Sequence, residues 1–166
     1  MAVTDTLLPE FDQEMAATRL VLERLPDAAF DWKPCANAYD LGGLATHLAQ
    51  IPRWGHAILG QDTHDIAAPS DAPPATLTTV GAVLERFDAH VREVRSTLCD
   101  TADGQLMAPW SLKRGSQLIL SMPRIAAFRA FVVHHSIHHR GQLTVYLRLR
   151  DVALPALYGF TADELM

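Results

Sequence analysis

Residues 121–150, SMPRIAAFRAFVVHHSIHHRGQLTVYLRLR, hold one proline near their start and no glycine before Gly141. Pro123 suits a first helical turn, where a missing N–H costs nothing, and the spacing predicts one helix over the whole stretch. At 1.5 Å per residue that helix is roughly 40 Å long, enough to run the height of a domain, so the other elements should pack along it. Taking 100° per residue with His135 at zero, Phe128, Phe131, Val132, His139, Gln142, Tyr146 and Leu149 fall within about 60° of His135. Arg129, Ser136, Arg140 and Leu147 fall roughly 100–140° away, which predicts a solvent or subunit-contact face.

Two histidine pairs, His134/His138 and His135/His139, have the i,i+4 spacing that brings side chains together on one helical face. Position on the apolar stripe separates them: His135 and His139 share it with the aromatic residues, while His138 lies at its margin and His134 beyond. Two inward imidazoles are costly without partners. They are either core-edge histidines bonded to backbone or water, or two nitrogen ligands of a metal ion that takes a third ligand from elsewhere.

The chain has 166 residues, 49% of them hydrophobic and 20% charged, enough for one domain spanning 1–166 with a continuous core. No run of 18 apolar residues occurs, so neither a membrane span nor disorder is expected. The first residues, MAVTDTLLPEFDQEM, lack the basic start and apolar core of a secretory signal. With only Cys35 and Cys99 besides, they point to a reducing cytoplasm. A net charge of −5 with scattered basic residues argues against nucleic acid as a partner.

A first helix is expected from Thr4 or Asp5 to about Leu25, ended by Pro26, followed by an ordered loop over 27–40 anchored by Phe30, Trp32 and Tyr39. The second, over 41–59, should bend at Pro52 and place His47 inward with Leu44, Leu48, Ile51 and Trp54. His56 faces elsewhere, as a surface or groove residue. Residues 60–74 read as a polar loop in which His64 is solvated, and 76–99 as an amphipathic helix with His90 at its edge. Residues 103–120 suggest an irregular excursion with a small β-hairpin between helices 3 and 4, and Pro155 and Gly159 send the tail back across the bundle end. The fold class is therefore all-α, a four-helix bundle with room for that hairpin. Gly141 predicts a close approach of a neighbouring helix. Trp32, Trp54 and Trp110 read as core or pocket anchors.

His47 on one helix and VVHHSIHHRGQLTVYLRLRDVALPALYG on another resemble the DinB/YfiT family of metalloenzymes, above all in HxxxHRGQ, His135 to Gln142. The resemblance implies a four-helix bundle holding one divalent ion, zinc or nickel, through His47, His135 and His139, the three histidines that the helical faces also turn inward. It also implies a small-molecule substrate, a homodimer and, as in characterised relatives, a low-molecular-weight thiol cosubstrate. Three neutral imidazoles leave an open position that could lower a bound water's pKa, polarise a substrate oxygen or hold a thiolate.

Ser136, Ile137 and His138 stand where a zinc protease carries its glutamate, so that general base is missing. His138 and Gln142 are the candidate catalytic residues, for proton transfer and for orienting a ligand. Arg140, read as outward, takes a structural or interface role. Three functions follow: a metal-dependent transferase or hydrolase, a non-catalytic metal-binding or stress-response protein with a structural ion, and a metal-free helical interaction module. A fourth protein ligand, for instance His90, would favour the structural ion.

Overall fold

A computed structural model describes residues 2–68 and 75–164. Helix α1 spans Thr4–Leu22, α2 Leu41–Gln50, α3 Trp54–Gly60, α4 Val80–Cys99, α5 Asp103–Met107, α6 Arg124–Phe128 and α7 His135–Arg148. The strands are β1 Thr63–Asp65, β2 Pro109–Arg114 and β3 Gln117–Pro123. The fold is thus mostly helical but not purely all-α: β2 pairs antiparallel with β3 as the expected hairpin, and β1 adds to β2 in parallel. Three residues are too few for a visible alternation, which is why β1 hides in the proline-rich 60–74 segment. The end of that segment, 69–74, lies outside the described residues.

Local chemistry explains the breaks. Asp40 caps α2 by accepting from the Gly43 N–H at 2.6 Å, and Thr79 caps α4 by accepting from the Ala82 N–H at 3.2 Å. Pro52 has no N–H to give, and the chain tightens through a 3-10 turn, Ile51–Arg53, before α3 resumes. Helix α1 packs against α4 and α7, and α2 packs against the same two. Between them lies a core that includes Leu7, Phe11, Leu44, Leu48, Phe87, Val94, Phe128 and Leu143. No helix among the described residues is long and apolar enough to cross a membrane.

The last helical run departs from its expected form in three ways. It begins at Arg124, because 121–123 belong to β3. Residues Arg129–His134 form a π-helical turn. And the face expected to meet solvent is buried: Ser136 and Leu147 are fully covered and Arg140 is 2% exposed. The π-turn is the reason, since its extra residue rotates everything downstream by about 100° relative to α6. Phe128 and Val132 therefore continue onto Ser136, Arg140, Leu143 and Leu147, while Gln142 and Leu149 come out to the surface. With Leu147 inside, it offers no subunit contact. Nor does a helix approach Gly141, around which a Cβ would meet nothing within 4 Å. The close approach is at Gly55, where a Cβ would lie 2.4 Å from Val94 Cγ1, letting α3 seat on α4.

Candidate functional site

Helix α2 and the start of α7 lie side by side, and three imidazoles meet between them. His47 Nε2 is 3.3 Å from His135 Nε2, and His139 Nε2 is 2.9 Å from that same atom. Each residue offers one ligand nitrogen, all within 4.8 Å of one another, and all three rings are half-buried. Tyr39, in the loop leading to the Asp40 cap, stacks on His47 with centroids 6.0 Å apart and planes 13° from parallel.

The other ring nitrogens fix the tautomers. His139 Nδ1 lies 2.7 Å from Gln142 Oε1; a carbonyl oxygen only accepts, so Nδ1 carries the hydrogen and Nε2 presents a lone pair. His135 donates to the backbone carbonyl of Phe131, and with Nε2 turned toward the other rings that bond falls to Nδ1. Two lone pairs thus face each other at 2.9 Å, an arrangement that repels unless a cation stands among them. A tetrahedral ion with nitrogen ligands at about 2.0–2.1 Å holds them roughly 3.3 Å apart, near the 3.3 and 2.9 Å found at His135 Nε2, so the donor set fits a divalent ion with nitrogen preference.

Protonation is disfavoured throughout. Burial, then the rings of His139 and His135, pulls His47 down to about 4. Burial also lowers His135, with His139 adding to it and the Phe131 bond opposing. His139 is lowered by burial against the pull of Gln142. Neutral imidazole is the form that binds a metal.

A cavity of about 1000 Å³ opens beside His47, walled by Tyr39, Asp40, Gln50, Trp54, His64 and His90 among others. Trp54 is a wall residue as expected. Trp32 packs against the core and meets Tyr146 edge-on at 5.8 Å, and Trp110 is fully buried, core anchors as expected. His64 packs against Trp54, centroids 5.1 Å apart, rather than standing in solvent. His90 gives Nδ1 to the Ala49 carbonyl at 3.0 Å and is not a fourth member of the cluster. His56 faces Glu93 at 3.2 Å. His138 is exposed, its ring 4.8 Å from that of His139. The sequence marks Tyr39 only as a loop anchor; its place one residue before the Asp40 cap of the helix that carries His47 is the signal that points to the site.

Fold and site together define a mostly helical protein with a small sheet and a three-histidine cluster compatible with metal binding. The DinB family model matches residues 1–165, and the chain belongs to the DinB family. It is 25% identical over 162 residues to the uncharacterized protein YrdA of Bacillus subtilis (strain 168), covering 96% of this chain and 90% of that one. In fold it is similar to a DinB-like protein of Bacillus cereus ATCC 10987, with a TM-score of 0.68 at 20% identity over 91% of this chain and 95% of the other. A DinB family member of Exiguobacterium sibiricum 255-15 superposes with a TM-score of 0.66 at 18% identity, covering 98% of both chains.

Proposed function

We propose that the protein is a metal-dependent enzyme of transferase or hydrolase type, a single four-helix-bundle domain in which His47, His135 and His139 hold one zinc or nickel ion. The observation that carries this reading is the meeting of three Nε2 atoms while Nδ1 of His135 and of His139 is committed to an acceptor. Among the described residues no fourth histidine, cysteine or carboxylate joins the group. A structural ion usually has four protein ligands, so this favours an open position and catalysis over a purely structural ion. When bound, the ion supplies Lewis acidity toward a substrate oxygen or affinity for a thiolate.

The chain's own residues divide the remaining work. Gln142 holds the His139 ring in the ligating tautomer. His138, exposed beside that ring, can take or give a proton there while it holds no ion of its own. Tyr39 and Trp54 supply aromatic surface to a substrate in the adjoining cavity.

Metal analysis of untagged protein should find close to one equivalent, and thermal-shift screening should show a rise with Zn²⁺ or Ni²⁺ that H139A abolishes. Less than about a tenth of an equivalent, with no rise, would end the metal reading. Turnover of a thiol with an electrophile, or of an ester or amide, separates transferase from hydrolase; no turnover with the ion bound leaves the structural-ion alternative standing.

A further inference from the structure

The run HHSIHH contains two interleaved pairs of histidines one helical turn apart, and the cluster uses one of them. His134 and His138 are both exposed. Neither side chain makes a hydrogen bond or ion pair among the described residues. Both border a surface depression of about 350 Å³ whose remaining walls are Ala130, Phe131 and His135. The His138 ring rests edge-on against His139, at 77°, which limits its swing. A solvated pair on a helix is ordinary; this pair instead flanks a depression with a member of the inner cluster in its wall.

We propose that His134 and His138 form a second, outward metal site, which captures divalent ions of nitrogen preference before they reach the inner three histidines. Residues four apart on a helix present their rings to one ion, as in the HxxxH pairs of zinc enzymes. Two protein nitrogens leave most of the ion's coordination to water, so the site binds more weakly than the inner one and exchanges faster. Its preference should run Cu²⁺ above Ni²⁺ and Zn²⁺, the order such ligands impose. The site does not depend on the inner cluster being occupied.

The test is calorimetric titration of untagged protein with Ni²⁺ and with Cu²⁺ near pH 7.5. Wild type should show a tight and a weak class, H134A/H138A the tight class alone, and H47A/H139A the weak class alone. A weak class that survives H134A/H138A, or that is missing from H47A/H139A, overturns the outer site. Both substitutions in the outer pair are at exposed positions, and circular dichroism confirms folding. If wild type shows only a weak class that H134A/H138A removes, the inner reading fails and the outer site stands. With Ni²⁺ held below the weak dissociation constant, stopped-flow loading of the tight class should slow several-fold in H134A/H138A at unchanged final affinity. Equal loading rates overturn the capture role.

Discussion

Arg140 and Glu14 form a buried ion pair, Nη2 to Oε2 at 2.7 Å, that joins α7 to α1. Arg140 Nη1 also donates to the Glu14 backbone carbonyl at 3.0 Å and to Thr18 Oγ1 at 3.2 Å. The Tyr158 hydroxyl accepts from the guanidinium and donates to the Glu14 carboxylate, bringing the C-terminal tail into the same network. One residue beyond His139, the pair thus locks the helix that carries two of the three imidazoles.

Breaking it from one side should be expensive. R140M leaves the Glu14 carboxylate, 8% exposed, without its counter-charge, and the expected loss is about 3–5 kcal/mol. Removing both charges in R140M/E14L should restore a large part of that, because the penalty lies in the orphaned charge rather than in the lost attraction. Urea midpoints of the single and double variants check this, and a double variant as weak as R140M would refute it.

The histidine cluster sets a pH dependence of definite sign. The unfolded chain takes up protons near the ordinary value of 6.5, whereas folded His47 holds out to about 4. Acid therefore favours the unfolded state within that window. Metal-free protein should keep its full stability above about 6.5 and lose it progressively toward 4, and Zn²⁺ or Ni²⁺ affinity should fall over the same range as protons compete. H47Q should flatten part of this slope in urea titrations at several pH values; an unaltered slope would count against it.

Gln142 is exposed, so its loss should hardly touch stability. Its amide oxygen nevertheless fixes the His139 tautomer. Q142L should lower metal affinity about 10–100-fold with a thermal midpoint close to wild type in the metal-free state. Competition against a chelator of known affinity measures it, and unchanged affinity would remove Gln142 from the site.

The glycines give opposite expectations. G55A pushes a methyl group against Val94 and should cost about 1–3 kcal/mol. G141A meets open space within a helix and should gain up to about 1 kcal/mol. Thermal midpoints of the two variants should move in opposite directions.

Much of the site was legible because its signals are local. The HxxxH spacing and the stripe around His135 pick out the inward pair, and the face shared with Leu44 and Leu48 turns His47 the same way. The buried face of α7 was not legible, because a straight 3.6-residue period run through 128–149 passes over the π-turn. Arg140 looked like a surface residue for that reason, and because its partners Glu14 and Tyr158 lie more than a hundred residues upstream and beyond the helix end. Strand β1 was hidden by its length. Its parallel partner is nearly fifty residues away, and no local pattern announces such a pairing.

The additional residue in the Arg129–His134 turn also bears on how relatives should be compared. A chain with one residue deleted there, ahead of His134, would keep nearly the same apolar content and the same HHSIHH string, yet wind as plain α-helix, with its downstream half turned by about 100°. Either the Arg140 anchor or the imidazole pair would then face the wrong way. A single-residue gap at this turn in an aligned homologue therefore marks a changed relation between the buried anchor and the imidazole pair more directly than a substitution among the histidines' neighbours does.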